Sequence, residues 1–86
     1  MKSFNYIIKD PIGIHARPAG LLTKQAVLFK ETAITISKGD KKADAKRLFS
    51  IMGLGVKCGD EIAVSAEGGN EEEALAAMEK FLSENL

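Results

Sequence analysis

The apolar residues of this 86-residue chain change their spacing along its length, and that change limits its possible folds more than any other feature. Phe4, Tyr6 and Ile8 alternate with Ser3, Asn5 and Ile7, the two-residue repeat of a strand with one buried face. Ala19, Leu22, Ala26 and Phe29 then recur at intervals of three and four, which predicts a helix from Ala16 to about Phe29. Ala33-Ile34-Thr35-Ile36 reads as a second strand, and Gly39-Asp40 turns it into a short third one through Lys41-Lys42-Ala43. From Lys46 to Gly53 a short helix is expected. Its Leu48, Phe49, Ile51 and Met52 are too many for one narrow buried face, so some of them must meet solvent. Ile62, Val64 and Ala66 mark a fourth strand, closed by Gly68-Gly69. Asn70 is placed to cap the last helix, with Glu73 completing a capping box and Ala74, Leu75, Met78, Phe81 and Leu82 on one face. The order β-α-β-β-α-β-α, with half-buried strands and amphipathic helices, predicts an α+β fold. Its expected form is a four-stranded antiparallel sheet carrying three helices on one face, as one domain over residues 1–86.

The only histidine stands in the run Gly13-Ile14-His15-Ala16-Arg17-Pro18-Ala19. Proline has a fixed φ and no N–H, so Pro18 fits only in the first turn of a helix, which puts His15 at or beside its N-cap. The backbone N–H groups of Ala16 and Arg17 then lack intrahelical acceptors, and with the positive end of the helix dipole they form an anion site. The Arg17 guanidinium adds a planar fork that matches phosphate oxygens, each charge-assisted bond contributing about 1.5–3 kcal/mol. Together these residues point to a phosphoryl group carried on the His15 imidazole, with Arg17 stabilising it. A metal site is not expected, because no second His and no Cys lies at ligand spacing, and no cofactor is called for. Cys58, the only cysteine, can form no intrachain disulfide and reads as a loop residue between Lys57 and Gly59.

An apolar content of 45% with 28% charged residues is ordinary for a soluble globular protein. No apolar run approaches the roughly 20 residues of a membrane span and no signal-peptide core is visible, so a cytoplasmic location is expected. The net charge of zero conceals an asymmetry, since 11 of the 12 Lys and Arg residues precede Asp60 whereas 8 of the 12 Asp and Glu residues lie from Asp60 onward. His15 thus belongs to the basic part of the chain, which suits both a phosphate and the acidic surface of a partner. Nucleic-acid binding is not indicated, as no basic cluster is interleaved with aromatic residues.

Gly13-Ile14-His15-Ala16-Arg17-Pro18-Ala19 resembles the active-site signature of the HPr family, the histidine-containing phosphocarriers of the phosphoenolpyruvate-dependent sugar phosphotransferase system. Lys46-Arg47-Leu48-Phe49, Leu54-Gly55, Gly59 and Val64-Ser65-Ala66-Glu67-Gly68 are similar to the family's second helix, the glycines after it and its last strand, so the resemblance covers essentially the whole chain. It implies an open-faced β-sandwich and a stoichiometric carrier rather than an enzyme. His15 would accept a phosphoryl group on Nδ1 from phosphorylated enzyme I and pass it to EIIA-type proteins, reaching membrane permeases only through those partners. The partner surface it implies comprises Gly20 and Lys24 on the first helix and Leu48, Phe49 and Met52 on the second, with Arg47 at its start, and a monomer is expected. Arg47 departs from the serine that many family members carry there for phosphorylation by a dedicated kinase, so that regulatory input is expected to be absent. Two other readings stay open on sequence: a regulatory phosphorelay of the nitrogen-related kind, and a pure binding module in which His15 merely caps a helix.

Overall fold

The computed structural model describes residues 2–86. The two-residue alternations become strands β1 (Lys2–Ile7), β2 (Thr32–Lys38), β3 (Lys41–Asp44) and β4 (Glu61–Gly68), and the helical stripes become α1 (Ala16–Val27), α2 (Leu48–Met52) and α3 (Glu71–Asn85). All pairings are antiparallel, in the spatial order β1-β4-β2-β3. Lys2 to Ile7 run against Ala66 to Glu61, and Ile36 stands between Val64 on one side and Ala43 on the other. The inward residues Ile34, Ile36, Ile62, Val64 and Ala66 meet Leu22 and Ala26 of α1, Ile51 of α2 and Ala74, Met78 and Leu82 of α3 in one core. Fully burying an Ile or Leu contributes about 1.5–3 kcal/mol. That packing, rather than intrinsic helicity, must therefore hold a helix as short as the five residues of α2. The other face of the sheet carries the half-buried Thr35, Ser37, Ala63 and Ser65, which leaves the sandwich open as expected.

Three details depart from the sequence reading. The second helix begins at Leu48, not Lys46, because Asp44 takes hold of the preceding residues. Its Oδ1 accepts the Lys46 N–H at 2.9 Å and its carbonyl accepts the Arg47 N–H at 3.0 Å, leaving Arg47 extended at φ −121°. Asn70 precedes α3 but makes no side-chain capping bond. The turn from β4 holds it at φ 60°, a left-handed conformation rather than the extended one from which a side chain reaches the next N–H groups. Glu71 instead reaches back, its Oε2 accepting the Gly68 N–H at 2.9 Å. The first helix stops at Val27, and the tighter bonds from Leu28 to Gln25 and from Phe29 to Ala26, at 3.2 and 3.1 Å, replace its last turn.

Candidate functional site

The segment that delivers His15 is anchored before the helix begins. Asp10 opens a turn, its Oδ1 accepting the Ile12 N–H at 2.9 Å and its carbonyl accepting the Gly13 N–H at 3.0 Å. The next donor, the Ile14 N–H, bonds the Val56 carbonyl at 3.1 Å, and the Ile14 side chain is buried. Gly13 adopts φ +84° with its backbone pressed on the segment after α2. A Cβ there would enter the Val56 carbonyl oxygen and stand 2.6 Å from the Lys57 Cα. The Lys9 and Asp10 N–H groups both donate to the Leu86 oxygen, at 2.7 and 2.9 Å. His15 is thus the first residue free of this anchorage, and Pro18 and Ala19, both buried, fix the far side.

His15 occupies the N-cap of α1 in an extended conformation, φ −115° and ψ −176°, where Pro18 required it to be. Its carbonyl accepts the Ala19 N–H at 2.9 Å and so starts the helix, yet its imidazole makes no capping bond. A histidine retained as a cap would use its ring for that purpose; here the half-buried ring has no hydrogen-bond partner among the described residues and faces an open depression. The depression, about 260 Å³, is lined by Asp10, His15, Arg17, Pro18, Leu21 and Asn85. The Ala16 and Arg17 N–H groups bond no other group among the described residues, and the exposed Arg17 guanidinium forms no ion pair there. One nucleophilic ring, two free backbone donors and one unpaired guanidinium at a helix N-terminus can hold a tetrahedral anion. A larger hollow of about 520 Å³, between β2 and β3, contains none of the candidate site residues.

The predicted partner-binding residues lie on the two helices packed side by side, α1 and α2. Gly20 is half-buried with open space where a side chain would start, and Lys24 is exposed in the last turn of α1. Of the four large apolar residues of α2 only Ile51 is buried. Leu48 is partly covered, Met52 is 39% exposed and Phe49 is 85% exposed. The expectation that this helix must show apolar surface therefore holds. Arg47 lies just outside α2, exposed, with its Nε 3.9 Å from an Asp44 carboxylate oxygen, a separation at which a solvated pair contributes little. Asp10, Leu21, Asn85 and the Val56 carbonyl belong to the site without having been singled out in the sequence. Only Asp10 carried a visible signal, as the residue before the proline that breaks β1.

Among the described residues no cluster of three or more His, Cys, Asp or Glu could hold a metal ion, and no helix is long and apolar enough to cross a membrane.

Residues 2–84 match the family model described as the PTS HPr component phosphorylation site. The phosphocarrier protein HPr of Mycoplasma genitalium is 41% identical over 85 residues, spanning 99% of this chain and 97% of its own. A solved mycoplasma histidine-containing phosphocarrier protein superposes with a TM-score of 0.92 at 34% identity, covering 96% of this chain and 93% of that one. Two HPr structures from Thermoanaerobacter tengcongensis superpose with TM-scores of 0.91 and 0.77 at 41% and 40% identity. The first covers 96% of this chain and 92% of that one, and the second, of a dimer, covers 98% and 95%. With its sheet order, its helix-terminal histidine and these relatives in agreement, the chain belongs to the HPr family of phosphocarrier proteins of the bacterial phosphotransferase system.

Proposed function

We propose that His15 is the phosphoryl acceptor, that the Ala16 and Arg17 N–H groups and the Arg17 guanidinium hold the transferred group, and that the chain carries it from phosphorylated enzyme I to EIIA-type proteins. The observation that carries this reading is the N-cap geometry of His15, with the imidazole unused for capping and two unbonded N–H groups beside it. Phosphoryl transfer asks a protein mainly for positioning and charge stabilisation, and a helix terminus with one arginine supplies both. The open shape of the depression suits a group that must be reached by one large partner and then by another. The chain is a stoichiometric carrier rather than an enzyme, acting as one domain and as a monomer in the cytoplasm and meeting membrane permeases only through its partners.

Docking is assigned to Gly20 and Lys24 of α1, Leu48, Phe49 and Met52 of α2, and Arg47 ahead of it. Phe49 supports this most directly, because an aromatic side chain 85% exposed in water gains by entering a partner's pocket. Arg47, standing where a regulatory serine would be, offers no hydroxyl to a kinase. The test is phosphorylation by phosphoenolpyruvate and enzyme I, read on a phosphate-affinity gel and by phosphorus NMR. Wild-type protein should be labelled and His15→Ala should not, while the variant keeps its fold, since the imidazole makes no capping bond that the helix could lose. Label on His15→Ala would move the acceptor elsewhere.

A further inference from the structure

We propose that Lys38 and Asp60 are positioning residues for His15, acting at a distance through the Val56 carbonyl. The Ile14 N–H bonded to that carbonyl is the last anchor before the acceptor, so wherever Val56 is held, His15 is held. Val56 itself lies in neither helix nor strand, in the connection between α2 and β4. Its side chain is buried, but the backbone of that connection is tied to the sheet only further on, where the Gly59 N–H donates to the Ile8 carbonyl at 2.7 Å and the Ile8 N–H to the Asp60 carbonyl at 3.0 Å. Lys38, at the end of β2, fixes it from both sides. Its Nζ donates to the Gly55 carbonyl at 2.9 Å, one residue before Val56, and pairs with Asp60 Oδ2 at 2.9 Å, four residues after it. The same Asp60 oxygen accepts the Lys57 N–H at 2.8 Å, and the Asp60 N–H closes the turn onto the Lys57 carbonyl at 3.0 Å. Both side chains are about two-thirds covered, at 33% and 32% exposure, so the pair is shielded more than an ordinary surface contact. Lys38 and its bond to Asp60, with that of the Lys57 N–H, also hold the Asp60 carboxyl below its ordinary ionisation range.

The arrangement is a brace. One ammonium on the rigid sheet spans the segment whose middle carbonyl carries the acceptor loop, and Gly13 lets the loop lie flat against it. Neither Lys38 nor Asp60 lines the depression at His15, so neither would touch the moving phosphate. Their removal should therefore act on the chemical step through geometry, where a displacement of about 1 Å can cost up to about 100-fold. It should leave docking through α1 and α2 unchanged.

This inference rests on His15 being the acceptor, and the experiment separates the two. Lys38→Met, Lys38→Arg and Asp60→Asn are compared with wild type in the phosphoenolpyruvate and enzyme I assay, with amide hydrogen exchange at Ile14 followed by NMR. In Lys38→Met, Ile14 exchange should quicken about tenfold. The kcat for phosphorylation should fall about fivefold while KM stays within about twofold of wild type. Lys38→Arg should restore most of both. Asp60→Asn should fall between, because an amide oxygen still accepts the Lys57 N–H, and it decides the matter should Lys38→Met fail to fold. Wild-type Ile14 protection and wild-type kcat in the neutralised variants would overturn the brace, as would a slowed kcat with Ile14 protection intact. Phosphate on His15→Ala would instead overturn the acceptor and leave the Ile14 exchange result to judge the brace.

Discussion

Replacing Gly13 by alanine is the sharpest test of how the loop bearing His15 is seated. Two separate costs apply. At φ +84° a side chain pays for the left-handed region, about 1–2 kcal/mol. The added Cβ would also enter the Val56 carbonyl oxygen and approach the Lys57 Cα at 2.6 Å, and relieving such an overlap between backbones costs typically about 1–3 kcal/mol. The sum, about 2–5 kcal/mol, is a large share of the stability of a small domain and should lower Tm by at least about 8 °C, at about 4–8 °C per kcal/mol. Gly39→Ala is the internal control. Gly39 also has a positive φ, +59°, but nothing lies within 4 Å of the position its Cβ would take, so only the conformational cost applies. Thermal unfolding followed by circular dichroism, with urea midpoints at unchanged slope, should place Gly13→Ala about 1–3 kcal/mol below Gly39→Ala. Equal losses for the two alanines would show that Gly13 is not pressed on Val56 and would undo the account of how the loop is anchored.

Arg17→Ala should lower the transfer rate about 10- to 100-fold, the equivalent of one charge-assisted bond, and Arg17→Lys should recover only part of it because the planar fork is lost; turnover like wild type in a rapid-quench assay would remove Arg17 from the site. Arg47→Ser should weaken enzyme I binding by up to about 1 kcal/mol in low salt and by less in high salt, measured by titration calorimetry. Wild-type protein should resist an HPr-type serine kinase, and mass spectrometry finding kinase-dependent phosphoserine would contradict this. Lys38 and the Lys57 N–H lower the Asp60 ionisation from its usual 3.8, so the charged pair stabilises the fold fully above that value and is lost as pH falls below it towards the folded value. Urea midpoints of Asp60→Asn should consequently depend less steeply on acid than those of wild type, and parallel acid limbs would refute the pairing.

What the sequence disclosed and what it hid divide along a physical line. Periodicity is a property of neighbouring residues, so the seven elements and their order were readable, and Pro18 placed the helix start that puts His15 at the N-cap. That some apolar residues of α2 meet solvent followed from counting them against the width of one face, whereas the count did not pick out Phe49 as the most exposed. Contacts between residues distant in sequence left no such mark. Nothing near Val56 announces that its carbonyl receives the Ile14 N–H, and nothing near Asn85 announces that it lines the depression beside His15. Capping at Asn70 failed for a related reason. Residue type suited the role, but the turn leaving β4 imposed a left-handed backbone that the local pattern did not encode.

The pairing of β1 has a consequence for when this protein becomes competent. Among the strands, β1 hydrogen-bonds only β4, with Lys2 opposite Ala66 and Ile7 opposite Glu61, whereas β2 and β3 close on each other through a tight turn. The hairpin can form as soon as it leaves the ribosome; β1 must wait until nearly sixty further residues have been made, and its pairing carries the larger loop-closure entropy. Because the segment bearing His15 hangs between β1 and α1, that segment takes shape among the last parts of the molecule, late in synthesis. A truncated chain ending before Lys57 would carry the full signature sequence and still lack both the sheet partner of β1 and the turn closed between Lys57 and Asp60. The strand order thereby ties the seating of the His15 loop to the completion of β4, the last strand made.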